Sequence, residues 1–166
     1  MKRLLILLTF LLTGITLLAQ NHACSRIRPF NDYYCCDDLN KIAFPMGGLG
    51  AGMICMDGIG SVSHVSINNT PDIFNEPYAY AALMVKGVKN GAKVLQAQVP
   101  YEKVFGPKNT GRGGAETTYG LPRFTGGKFL TRFPFATLKL EDEDIPIDVE
   151  VTGWSPFIPV DEDNSS

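Results

Sequence analysis

The sequence predicts an all-β fold, an antiparallel β-sandwich that is incomplete and preceded by a signal peptide. Three observations carry this expectation. Ile145, Ile147, Val149 and Val151 alternate with Pro146, Asp148, Glu150 and Thr152, the two-residue period of a half-buried strand. The 166 residues include 17 Gly and 11 Pro, a supply of turn residues that suits short strands better than helices. Beyond residue 20, no useful length of chain carries a 3.6-residue apolar period.

Taken in order, Lys2 and Arg3 form a basic start and Leu4 to Leu18 an apolar run. Crossing ~30 Å of hydrocarbon takes about 20 apolar residues, and here Gln20, Asn21 and His22 follow rather than a cluster of lysines and arginines. Residues 1–20 are therefore read as a cleaved secretory signal, with Ala19 or Ala23 at the processing site. The expected location is periplasmic or extracellular, with no transmembrane segment. Acylation of Cys24 in a lipoprotein is the minor alternative. Residues 21–41 show neither a 3.6 nor a 2.0 period and read as an irregular lead-in to a domain at 42–166.

Within that domain the strand candidates are Gly52–Met56, Ser61–Ile67, Ala79–Lys86, Lys93–Gln96 and Phe129–Leu140, the last interrupted at Pro134. Asp57-Gly58, Asn68-Asn69-Thr70-Pro71, Lys89-Asn90-Gly91 and Gly126-Gly127 supply the turns between them. The run Thr110 to Gly120 is too glycine-rich for an element interior and reads as a long loop. Pro146 offers no N–H to a ladder, so the start of the 145–151 strand belongs at an edge or just outside the sheet.

Charge excludes one class of partner. Of 15 Lys and Arg, Lys2 and Arg3 leave with the signal; the remaining 13 face 17 acidic residues, a net of −4. The acidic runs Glu141 to Asp144 and Asp161 to Asp163 read as solvated loops, and no basic face is available for nucleic acid. The four cysteines form no C-x-x-C pair, and with two histidines they give no zinc pattern. Adjacent Cys35 and Cys36 cannot readily bridge each other, and either suits a partner such as Cys24. Cys55, inside Met53-Ile54-Cys55-Met56, reads as a buried thiol.

Motifs that invite a chemical reading fail on inspection. Gly47-Gly48-Leu49-Gly50-Ala51-Gly52 looks like a phosphate cradle, but Met53 and Ile54 stand where a P-loop needs Lys and Ser or Thr. No helix pattern follows it, so tight backbone packing is expected. His64 is the only histidine of the folded part and reads as structural. Asp57, Asp72 and Glu76 are the carboxylates near apolar sequence, and each fits a turn or a cap. Glycoside cleavage needs a carboxyl pair in one cleft, about 5–5.5 Å apart for retention or about 6.5–9.5 Å for inversion, and nothing in the spacing supplies one. Trp154, the sole tryptophan, is expected to be buried. No catalytic, cofactor-binding or metal-binding residue is assigned.

Several segments, in order, resemble the amino-terminal domain of glycoside hydrolase family 116, the family of non-lysosomal glucosylceramidases and β-glucosidases. They are 47–55, Ser63-His64-Val65-Ser66, Phe74-Asn75-Glu76-Pro77, 117–124, 153–159 and 163–166. The resemblance implies an N-terminal β-sandwich packed on a C-terminal (α/α)6 domain that cleaves β-linked glucosides or glucosylceramide-type substrates with retention. Both catalytic carboxylates would lie in that second domain, beyond Ser166, leaving this portion inactive alone. The competing expectation is a stand-alone module that binds carbohydrate or a partner protein through the 110–120 loop, Tyr119 and Trp154.

Overall fold

The computed structural model describes residues 28–48, 50, 52–72, 76–105 and 118–165. The expected signal peptide, Cys24 and most of the 110–120 loop lie outside these residues.

Strands β1 (Tyr34–Cys35), β2 (Ala43–Pro45), β3 (Met53–Asp57), β4 (Val62–Ser66), β5 (Ala82–Met84), β6 (Ala92–Val94), β7 (Gly126–Arg132), β8 (Phe135–Glu141) and β9 (Val149–Trp154) dominate. A 3-10 helix (Cys36–Lys41) and one five-residue helix, α1 (Tyr101–Phe105), accompany them. Among the described residues the strands form three antiparallel sheets, ordered β1-β7-β8-β9, β2-β3-β4 and β5-β6, none of them closed into a barrel.

Strand β8 shows why the largest sheet has an inside and an outside. Its odd–even pattern places Ala136, Leu138 and Leu140 in the core and leaves Phe135, Lys139 and Glu141 exposed. Phe129 from β7 joins the inner row, where Leu138 is its direct cross-strand partner. Phe44 of β2 and Met56 of β3 belong to the same buried cluster, so the two larger sheets share one core. Full burial of a side chain such as Phe129 is worth about 1.5–3 kcal/mol. At Gly153 of β9, a Cβ would sit 3.0 Å from the sulfurs of both Met46 and Met56, so a side chain there fits only if the two methionines give way where the sheets meet.

The small sheet is tied in by the segment after β6. Leu95 N–H donates to Ala81, Ala97 N–H to Ile59, and Phe124 N–H to Gln96. These bonds place Phe124, 1% exposed, against the common core.

Several expectations shift. The lead-in is not wholly irregular, because Tyr34 and Cys35 pair with Phe129 and Lys128 and the 3-10 helix follows. Gly126-Gly127 opens β7 instead of making a turn, pairing with Glu141 and Leu140. The 79–86 candidate shrinks to three residues. The strand expected at 145–151 begins at Val149 and runs to Trp154; Ile145 is buried outside it and Ile147 is 53% exposed. Pro146 accordingly stands outside the sheet.

Trp154 is not buried but 57% exposed, because Gly153 takes the inward position at the sheet contact and alternation turns the next side chain outward. Cys55 is buried and reduced, as its apolar neighbours imply. Cys35 is disulfide-bonded.

Candidate functional site

In the glycine run that resembles a phosphate cradle, Gly52 is a packing position. Gly52 has φ +82°, and a Cβ there would lie 2.3 Å from the Ser66 carbonyl oxygen across the β3–β4 pair. Opposite it, β4 carries one extra residue between its pairings Met53 with Ser66 and Cys55 with Ser63. His64 sits in that bulge with φ +52°. Its Nδ1 shares a 2.8 Å hydrogen bond with Ser63 Oγ, yet Ser63 is 2% exposed, so no substrate reaches the hydroxyl. Asp72 is exposed, its N–H donating to Ser66 Oγ at 2.9 Å. The main polar cluster is built around Lys103.

That cluster gathers two of the singled-out carboxylates. Asp57 ends β3 and uses Oδ1 to accept the N–H groups of Ile59 (3.1 Å) and Ser61 (2.7 Å), fixing the turn into β4. Its other oxygen accepts from Lys103 Nζ of α1 at 2.6 Å. The same ammonium donates to Glu76 Oε1, and Tyr119 OH donates to Glu76 Oε2 at 2.8 Å. Arg123 extends the group, donating to Gln96 Oε1 (3.1 Å), the Tyr119 carbonyl (3.0 Å) and Thr118 Oγ1 (2.9 Å). Four separate stretches of chain thus converge on one lysine and one arginine.

Electrostatics follow from closure. Burial pushes the Asp57 carboxyl above its ordinary value; the charge and hydrogen bond of Lys103 oppose the shift, and Glu76 adds to it. Burial pulls the Lys103 ammonium down, but the two carboxylates outweigh it and hold the group above its usual value. Burial, then the bond to Glu76, pushes the Tyr119 hydroxyl well up, so it remains a donor. A retaining glycosidase sets two carboxyls about 5–5.5 Å apart, one attacking the anomeric carbon and the other protonating the glycosidic oxygen. Here Asp57 and Glu76 are both directed at the same ammonium ion, which makes the cluster a clasp.

A second buried ion pair joins Lys93 of β6 to Asp142, just after β8. Asp142 accepts from Lys93 Nζ at 2.5 Å, from Thr125 N–H at 3.1 Å and from Asp144 N–H at 3.0 Å, with its side chain 1% exposed. Burial pushes this carboxyl up, but the Lys93 bond and the two N–H donors together overcome it and hold the group below its ordinary value. Between the 3-10 helix, segment 97–101 and the paired ends of β7 and β8 lies an open cleft of about 1150 Å³. Neither Asp57 nor Glu76 lines it. Among the described residues no three His, Cys, Asp or Glu side chains are grouped to hold a metal, and no helix is long and apolar enough to cross a membrane.

Sequence reasoning picked out Asp57, Glu76 and Tyr119 singly and missed Lys103, Arg123, Lys93 and Asp142. Lys103 lies 46 residues from Asp57 and 27 from Glu76, and no local spacing announces pairings of that range.

Residues 43–166 match the family model described as "beta-glucosidase 2, glycosyl-hydrolase family 116 N-term". No curated protein matches the chain.

Proposed function

The chain belongs to the N-terminal-domain family of glycosyl-hydrolase family 116, and from that premise we propose that residues 42–166 are the non-catalytic front domain of an exported, retaining β-glucoside hydrolase. The observation that carries the proposal is the family match over residues 43–166. The chemistry belongs to a separate helical domain, which acts on β-glucosides or glucosylceramide-type substrates and against which this domain packs. We propose further that the two larger sheets are the layers of a β-sandwich; their shared core and the close approach at Gly153 support this. Export rests on the basic start and the apolar run that follows it.

The clasp fits the same reading. Its carboxylates are committed to Lys103 and Tyr119, which holds loops in place and leaves neither oxygen pair aimed at a substrate. Turnover of a chromogenic aryl β-glucoside by the purified chain tests the proposal. Release of the chromophore no faster than in a mock preparation is expected; turnover that scales with the amount of this chain would overturn it.

A further inference from the structure

The buried atoms of the clasp stand as the reactants of a condensation. Lys103 Nζ donates to Asp57 Oδ2 at 2.6 Å. The carboxyl carbon bonded to that oxygen is therefore no more than about 3.8 Å from the nitrogen, close to the separation of a near-attack pair. Asp57 Oδ1 accepts the N–H groups of Ile59 at 3.1 Å and Ser61 at 2.7 Å. Two backbone donors on one carboxyl oxygen stabilise the negative charge that builds there when a nucleophile adds to the carbon. Glu76 Oε1 accepts from the same Nζ, and Tyr119 OH holds Glu76 Oε2 at 2.8 Å. An amine, a carboxyl on two N–H donors and a second carboxyl in reach of the amine protons thus meet at one point.

From this juxtaposition we propose that Lys103 and Asp57 condense to an isopeptide bond between Nζ and Cγ, with Glu76 as proton carrier and one water released. The ion pair supplies every atom. One Nζ proton passes to Oδ2, leaving a neutral amine beside a neutral carboxyl. The nitrogen lone pair forms the N–C bond, and the π electrons of the carbonyl move onto Oδ1, where the Ile59 and Ser61 N–H groups hold the charge. A second Nζ proton goes to Glu76 Oε1 and from there to Oδ2; the Cγ–Oδ2 bond breaks and water leaves. The third proton stays as the amide N–H. Nothing is oxidised or reduced, and no co-reactant enters. Asp57 is the acyl partner because its Oδ1 rests on two backbone donors and its side chain is the more buried, 6% exposed against 21% for Glu76. Burial favours the product, since an amide that keeps both N–H donors replaces two desolvated charges. The two carboxylates keep the Lys103 ammonium above its usual value, so the neutral pair is a minor state and the reaction is slow. The bond joins the end of β3 to α1 across 46 positions.

Tryptic mapping of the whole chain tests this, with the protein held for days at neutral pH and then reduced and denatured. Trypsin does not cut after an acylated lysine, so residues 42–86 and 94–108 should appear as one linked species, lighter than the two peptides together by one water. Fragmentation should place the link at Asp57 and Lys103. The parent chain alone decides the matter, and two variants assign the roles. Lys103→Arg, which keeps the charge, should give no link, and Glu76→Gln should form it at least about tenfold more slowly. Cleavage after Lys103 in the parent, with both peptides at full mass, reduces the clasp to an ion pair and overturns the inference. A link placed at Glu76, or linking undiminished in Glu76→Gln, overturns it too. The bond is read without any sugar, so its absence leaves the hydrolase reading standing and its presence does not depend on that reading.

Discussion

Lys103 is the cation bonded directly to buried Asp57 and partly buried Glu76, and the cost of removing it should exceed that of an ordinary polar substitution. Lys103→Met leaves Asp57 and Glu76 facing each other, a loss of about 3–5 kcal/mol in denaturant unfolding. Tyr119→Phe removes a single hydrogen bond to Glu76 and should cost about 1 kcal/mol. Asp142 gives the pH dependence its sign. Its folded-state carboxyl lies below the ordinary value of 3.8, so its contribution is present above that value and is lost as pH falls through the folded one. Asp142→Asn should therefore lower stability at neutral pH by about 1.5–3 kcal/mol, with the gap to the parent narrowing in strong acid. Thermal unfolding measured from neutral pH down to the acid limit of the folded state checks both statements.

At the scale of elements, the β3–β4 pair is the most sharply constrained. Gly50→Ala incurs only the strain of φ +80°, about 1–2 kcal/mol, because nothing lies within 4 Å of the new methyl group. Gly52→Ala adds a clash with the Ser66 carbonyl at 2.3 Å and should cost more than Gly50→Ala by at least about 1 kcal/mol, measured by urea unfolding of both variants. The strands themselves were largely legible: the runs at 52–56 and 61–67 and the long run broken at Pro134 correspond to β3, β4, β7 and β8. What misled the eye was local glycine and β-branched content. Gly126 and Gly127 have turn chemistry but lie in a strand because cross-strand partners and close packing on Ala97 claim them. Ile145 and Ile147 have strand chemistry but lie outside β9, since Pro146 cannot join a ladder. Trp154 was misplaced for a related reason: which face of a strand is inner depends on Gly153 meeting two methionines from elsewhere in the chain. The clasp was legible only as scattered residues, because its bonds cross 27 to 46 positions.

At the scale of the whole molecule, the described residues combine one buried cluster drawing on the two larger sheets with two largely buried ion-pair groups, Lys93 with Asp142 and Lys103 with Asp57 and Glu76. The chain belongs to the family-116 N-terminal-domain group, and the function proposed for it is that of the part without the chemistry. Retaining cleavage passes through a sugar covalently attached to a carboxylate, so a 2-deoxy-2-fluoro β-glucoside that traps this intermediate marks any chain that owns the nucleophile. Intact-mass measurement of the chain after prolonged exposure is the most direct test. An unchanged mass is expected; a stoichiometric increase by one fluorosugar, located on Asp57, Glu76 or another carboxylate of this domain, would overturn the non-catalytic reading.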